Sequence, residues 1–372
     1  MEINLTTRPA LKRSYNASLT LDGKLLLGVT PDDCVEVEIH QPWASAFMCL
    51  LDGGKSVLDI VSALKQRGFD VSTNDVLEQL RILDAVGTIE ESNEYAQAVR
   101  QSILTEHESI RYDRQMLLFQ TVLGSYQLAF EAQHKLKKSR VALVGLGGVG
   151  SYAFYGLAAM GVGFLRVVEF DKVELTNLSR QILYEDRDIG KSKIEVAKKR
   201  GPRINPNCQF EFVETMVSNL DTCVQVLEGV DLAIIAADIP RGKIWPMFNE
   251  AAHVTGTPVL YGGSAQTWVV CGPLVIPNKT PCYECCGPEA LRGDHPVVEF
   301  VRSRYTTALI DPYNATGASL FVLEAVKYLT AFQPCQIIGR TVLMNLGTYE
   351  SYQVPGQTRD NCNFCGKNLT TT

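Results

Sequence analysis

Val141-Ala-Leu-Val-Gly-Leu-Gly-Gly-Val-Gly150 runs on into Ser151-Tyr-Ala-Phe-Tyr-Gly-Leu157. The four apolar residues 141–144 read as a buried strand. Gly145, Gly147 and Gly150 take the Gly-x-Gly-x-x-Gly spacing, with Gly148 between them. The residues that follow can open a helix. Such glycines permit a tight turn, a close approach of backbone to phosphate oxygens, and close packing of helix on strand. The helix start adds free N–H groups and a positive dipole end. The pattern predicts a nucleotide-binding α/β domain without naming the nucleotide.

The 372 residues suffice for two or three domains, and 46% hydrophobic with 20% charged residues is ordinary for a globular chain. A net charge of −6 argues against nonspecific nucleic-acid binding. No apolar run reaches membrane-spanning length. Residues 1–7 lack the charged and apolar regions of a signal peptide. Eleven cysteines without an export signal suggest reduced thiols or metal ligands. A cytoplasmic protein is expected.

Residues 1–92 read as a small separate module. Ser18-Leu-Thr-Leu, Leu25-Leu-Leu-Gly-Val and Val35-Glu-Val-Glu-Ile are rich in strand formers, with turn signals at Asp22-Gly23 and Pro31-Asp-Asp. Helical patterns follow over 42–51, 57–66 and 74–85, the second with Ser56 as N-cap. Three strands then three helices predict a winged-helix-like α+β arrangement. DNA binding is disfavoured by Asp32, Asp33, Glu36, Glu38, Asp70, Asp75, Glu78 and Asp84. Residues 93–139 form a charged helical connector containing Arg111-Tyr-Asp-Arg-Gln115.

Residues 140–372 form the third segment, and to about 280 strands and helices alternate. Leu165-Arg-Val-Val-Glu-Phe-Asp171 predicts a second strand closed by Asp171, about 20 residues past the glycine turn, where a carboxylate can meet ribose hydroxyls. Asp231-Leu-Ala-Ile-Ile-Ala-Ala-Asp238 is a further strand ending in an acid. A dehydrogenase would share the glycines and the first acid. Here cations cluster by the loop: Arg114 upstream, Arg180 in Asn177-Leu-Ser-Arg-Gln181, and Lys193 after Gly190. A triphosphate and departing pyrophosphate need such cations. ATP is therefore expected rather than NAD, with Asp238 a candidate magnesium ligand.

In this order, these motifs resemble the E1-like adenylating superfamily of the ThiF, MoeB and MccB type, over roughly 111–366. The resemblance implies a Rossmann-like E1 adenylation domain and attack by a carboxylate on the α-phosphorus of ATP. It assigns Gly145, Gly147, Gly148, Gly150, Asp171, Asn177 and Gln181 to nucleotide binding. Arg180 and Lys193 fall on the phosphates and Asp238 on magnesium. Arg114 falls on the nucleotide site of a second copy, which implies a homodimer. Leu51-Asp-Gly-Gly-Lys-Ser-Val-Leu-Asp-Ile-Val-Ser-Ala-Leu64 and Leu83-Asp-Ala-Val-Gly-Thr-Ile89 resemble the PqqD-like peptide-recognition domain. That resemblance implies a clamp for the leader of a ribosomal precursor peptide, near 35–39 and the helix over 74–85.

Cys282-Tyr-Glu-Cys285 and Cys362-Asn-Phe-Cys365 suit a structural tetrahedral zinc, with a redox dithiol as the other reading. Residues 287–334 hold no cysteine, which argues against the thioester relay of ubiquitin-type relatives. Cys271, Cys208 and Cys223 read as buried inert thiols. Arg292, Asp294, His295, Glu299, Arg302, Arg304 and Tyr305 form a polar crossover segment. The expected function is ATP-dependent activation of a carboxylate, a glutamate side chain by analogy, on a leader-bound precursor peptide. Adenylation of a peptide C-terminus, activation of a sulfur carrier, and a non-catalytic peptide-presenting partner are the alternatives.

Overall fold

The computed structural model describes residues 2–20, 24–28, 34–37, 41–286 and 296–366. The expected turns at Asp22-Gly23 and Pro31-Asp-Asp lie outside these residues. So do Glu38 and Ile39 of the expected clamp edge, and Arg292, Asp294, His295 and the side chain of Glu299 in the crossover. The chain divides into two compact units, Met1–His134 and Lys135–Thr372.

In the first unit, β1 (Pro9–Leu11) pairs antiparallel with β5 (Ile89–Glu91). The strands β2 (Ala17–Leu19), β3 (Leu25–Leu27) and β4 (Val35–Val37) form an antiparallel sheet in that order. Helices Ala44–Met48, Val57–Gln66 and Thr73–Ala85 follow β4. The Val57–Gln66 helix starts where its cap dictates. Ser56 Oγ accepts the Asp59 N–H at 3.2 Å, and the Asp59 carboxylate accepts the Ser56 N–H at 3.0 Å. Val57, Ile60, Val61 and Leu64 then fall on one buried face with Leu80 and Leu83. The β1–β5 pair is an addition to the expected three strands: three-residue strands carry too little periodicity to announce themselves. The connector helices Ser92–Arg100, Glu106–Arg111 and Asp113–Leu123 belong to this unit, and Tyr95 meets Tyr126 edge-on at 5.1 Å.

The second unit is a mixed sheet covered by helices. Its strands are β6 (Arg140–Val144), β7 (Phe164–Glu169), β8 (Gln209–Glu214), β9 (Leu232–Ile235), β10 (Val259–Ala265), β11 (Trp268–Val275), β12 (Arg340–Asn345) and β13 (Ser351–Pro355). Their order is β13-β12-β11-β10-β9-β6-β7-β8. Strands β6 to β10 run parallel, and β11 to β13 extend the sheet antiparallel. From β6 the chain goes to β7 and β8 on one side, then returns to β9 on the other. That reversal puts a crevice beyond the carboxyl ends of β6 and β9. Residues 141–143 and 232–235 are fully buried, as strands covered on both faces must be. The helix Gly148–Met160 packs on Asp311–Thr330, where a Cβ on Gly156 would lie 3.1 Å from Val322. Among the described residues no helix is long and apolar enough to cross a membrane.

Candidate nucleotide site and thiol cluster

A cavity of about 600 Å³ opens at the crevice, within the size range of about 300–1,000 Å³ usual for small-molecule sites. It is lined by the glycine loop, the ends of β7, β9 and β10, and residues 305–307, 309 and 314. Gly145 has φ +94°, and a Cβ there would lie 3.0 Å from the backbone at Ala236 and Ala237. A Cβ on Gly150 would sit 2.0 Å from the Gly145 carbonyl oxygen, so the turn into Gly148–Met160 admits no side chain there.

The loop is fixed from both sides. The Leu146 N–H donates to Glu169 Oε2 at 2.8 Å, and the Leu146 carbonyl accepts the Tyr184 hydroxyl at 3.0 Å. Burial pushes the Tyr184 hydroxyl well above the usual tyrosine range, so it stays a donor. Glu169 also accepts the N–H groups of Phe170 at 2.7 Å and Asp171 at 3.0 Å.

This corrects the expectation that Asp171 closes the second strand. The strand ends at Glu169, paired with Glu214, and the 7%-exposed Glu169 carboxylate is the acid built into the loop. Asp171 lines the same cavity, but its carboxylate pairs with Lys193 Nζ at 2.8 Å. Replacing Glu169 by glutamine puts an NH₂ opposite a backbone N–H, which is expected to cost about 1–3 kcal/mol of stability. Urea unfolding checks this; an unchanged midpoint would show the loop does not depend on that carboxylate.

Lys193 opens the Lys193–Ile204 helix and is only 4% exposed. Arg180 Nη1 donates to the Thr176 carbonyl at 2.6 Å. The buried Asn177 is held by the Glu174 N–H on its Oδ1 at 3.1 Å. Gln181, buried in the cavity wall, has an Oε1 without a hydrogen-bond partner among the described residues. Gly147, Gly148, Arg180, Asn177, Gln181, Lys193 and Asp238 therefore share one cavity. Gly150 packs behind its wall. Asp238 is exposed, its side chain 65% accessible, with Arg241 Nε at 3.6 Å. Arg241 Nη1 donates to the Arg302 carbonyl at 3.0 Å and also to the Tyr305 carbonyl, tying the end of the Pro296–Arg304 helix to this rim. Arg114 is exposed on the Asp113–Leu123 helix of the first unit.

The thiols of Cys282, Cys285, Cys362 and Cys365 are buried, with sulfurs all within 4.8 Å of one another. Cys282 and Cys362 sulfurs are 3.6 Å apart and those of Cys285 and Cys365 3.5 Å. Four sulfurs about 2.3 Å from a central zinc would stand about 3.8 Å apart, so the set fits a tetrahedral ion. The Cys282 N–H, 3.4 Å from the Cys365 sulfur, adds a donor that suits a thiolate. Burial raises the thiols of Cys208, Cys223 and Cys271, in keeping with inert roles.

The family model for the ThiF family matches residues 112–365. The chain belongs to the ThiF family. The sulfur carrier protein adenylyltransferase of Thermus thermophilus is 30% identical over 275 residues, 72% of this chain and 94% of that protein. Escherichia coli MccB, solved with MccA-N7isoASN, superposes with a TM-score of 0.78 at 22% identity, over 96% of this chain and 99% of that one. PaaA superposes with a TM-score of 0.72 at 21% identity, over 92% and 98%. Family membership makes the chain an E1-like enzyme of ATP-dependent adenylation. The two solved structures share its fold.

Glu169, Tyr184 and Asn314 join the loop and its cavity without belonging to any of the sequence motifs. The acid of Glu169-Phe-Asp171 nearer the loop was available in the sequence; a lone tyrosine or asparagine carries no pattern.

Proposed function

We propose that this ThiF-family enzyme adenylates a carboxylate of a ribosomal precursor peptide whose leader is held by the N-terminal unit. A carboxylate oxygen attacks the α-phosphorus of ATP. The new O–P bond forms as the α–β bridging bond breaks, and pyrophosphate leaves with that electron pair. Lys193, Arg180 and Asn177 meet the phosphates; Glu169, with Asp171 beside it, meets the ribose hydroxyls; Gln181 completes the wall. Asp238 would hold magnesium, which would offset the phosphate charge. No protein nucleophile is required. Arg114 would serve a second copy's site, making the enzyme a homodimer. The four thiols would hold a structural zinc.

The observation that carries the peptide reading is the N-terminal unit itself. The ThiF match begins at residue 112, and the sulfur-carrier relative spans 72% of this chain, whereas MccB superposes on 96% of it. The solved MccB complexes include one with ATP and one with N-formylated MccA. Activation of a sulfur carrier is the second reading, favoured by the name of the Thermus relative.

Incubation with ATP, magnesium and a short peptide encoded in a neighbouring reading frame is expected to release AMP or an adenylated peptide together with pyrophosphate. If the peptide carboxylates carry ¹⁸O, one label should appear in the AMP phosphate. Label in inorganic phosphate with ADP would replace adenylation by acyl phosphate chemistry. Turnover only with a sulfur carrier protein would favour the second reading.

A further inference from the structure

Asn314, on the cavity wall, is a buried polar group that the roles above leave unused. Asn314 is the fourth residue of the long Asp311–Thr330 helix and lines the cavity wall. It is 1% exposed, yet its Nδ2 has no hydrogen-bond partner among the described residues. A buried amide is disfavoured unless something completes it. An apolar side chain of the same size would fill the space without leaving an unmet donor.

The position of the amide narrows what would complete it. A Cβ built on Gly148 would lie only 2.4 Å from Asn314 Nδ2, so the amide lies directly against the start of the Gly148–Met160 helix. The unpaired N–H groups of that helix's first turn open on the same volume. On the far side of the loop, Glu169 fixes the ribose end under the reading above. The phosphate attached to the ribose is then the one that reaches Gly148.

We propose that Asn314 is a nucleotide-binding and catalytic residue whose amide N–H donates to an α-phosphate oxygen. The inference rests on the ATP reading. The α-phosphorus is the atom attacked, and charge grows on its non-bridging oxygens as the carboxylate arrives. A donor already buried and aimed there needs no reorganisation. The adjacent glycine has a matching role: any side chain at Gly148 would push the amide off its position.

The test is binding of ATP, AMP and adenosine, each with magnesium, by wild-type protein and by Asn314→Ala and Asn314→Asp. Asn314→Asp keeps the shape but puts a carboxylate where the donor was, which a phosphate there would repel at least as strongly as the lost bond held it, so it carries the test if the alanine variant fails to melt cooperatively. Loss of one charge-assisted hydrogen bond is expected to weaken ATP and AMP by the same factor, about tenfold to a hundredfold. Adenosine affinity should stay within about twofold, since it has no phosphate. Unchanged ATP affinity in a folded Asn314→Asp variant would overturn the inference and leave the ATP reading standing. A loss seen with ATP but not AMP would overturn it too, moving the contact to the outer phosphates. Wild-type protein that binds no ATP would overturn the reading itself.

Discussion

Replacing Lys193 by alanine is expected to lower ATP-dependent pyrophosphate release by about a hundredfold to a thousandfold, the usual effect of losing one preorganised charge stabiliser. Lys193 is a cation 4% exposed, on the wall of the cavity that the glycine loop faces. Its ammonium is held 2.8 Å from the Asp171 carboxylate, so its place is set before any phosphate arrives. Two unit charges about 4 Å apart interact by about 4 kcal/mol at an effective dielectric of about 20, against about 1 kcal/mol in water. Burial therefore makes this lysine worth more to a phosphate than a surface lysine. Arg180 is half-buried, and one guanidinium nitrogen is committed to the Thr176 carbonyl. Its removal should cost less, about tenfold.

Stability separates this role from a structural one. The Asp171 side chain is 45% exposed and can return to water when its partner is lost. Lys193→Ala should then melt within about 4 °C of the parent, the shift of roughly 1 kcal/mol in a unit of this size. Stopped-flow detection of pyrophosphate with parallel thermal melts checks both halves. A variant that keeps the parental rate would remove Lys193 from the phosphate site. One that loses rate and melting temperature together would make the lysine a structural residue.

The parts of the fold legible in the sequence are those whose signal is local. Residues 141–150 announce a strand, a turn and a helix within ten positions, because glycines and a buried parallel strand have few other uses. The Cys-x-x-Cys pairs are legible for the same reason: their spacing is the ligand geometry. The second strand was legible in place but not in its end. Glu169 and Asp171 stand two apart, and a spacing rule of about 20 residues cannot tell them apart. Pairing decides it, since Glu169 still faces Glu214 in the ladder while Asp171 has left the sheet for Lys193. Strand β13 is exposed at every residue, so no apolar alternation marks it. Asn314 sits in a helix whose neighbours are largely apolar, and only the three-dimensional approach of Gly148 gives it meaning. Local pattern thus marks the motif residues, whereas a role that depends on contacts between distant segments leaves no local mark.

The second large effect is expected at the thiol cluster. The purified protein should carry one zinc per chain. Stripping the metal, or replacing Cys362 by serine, is expected to lower the melting temperature by about 10 °C, as the loss of several kcal/mol would in a unit of this size. The cluster joins the short Tyr283–Cys286 helix to the segment that follows β13. Besides the sulfurs, that segment is held by the Gly356 N–H on the Gly339 carbonyl at 2.9 Å, by Arg359 Nη2 on the Glu284 carbonyl at 3.1 Å, and by Phe364, whose ring lies 5.4 Å from that of His253. Contacts of these kinds are each worth about 0.5–1.5 kcal/mol, against about 1–2 kcal/mol for ordering each backbone residue, so they do not order the segment alone. The sulfurs are buried together, so without a cation they lose the bonds that would hold them to one another. Nucleotide affinity should change much less, by about threefold. None of these cysteines lines the cavity; the Ile244–Thr255 helix stands between, with Ile244 and Trp245 on the cavity. Farther along that helix, Asn249 accepts the Tyr283 N–H at 2.9 Å. Limited proteolysis of the metal-free protein should therefore cut first near residues 356–366, before ATP binding is lost. Zinc content by elemental analysis, the melting shift and the cleavage site check the three parts separately. If chelation removes zinc without moving the melting temperature, the cluster does not anchor the C-terminal segment. If ATP affinity collapses with the metal, the helix couples the two sites more tightly than its contacts imply.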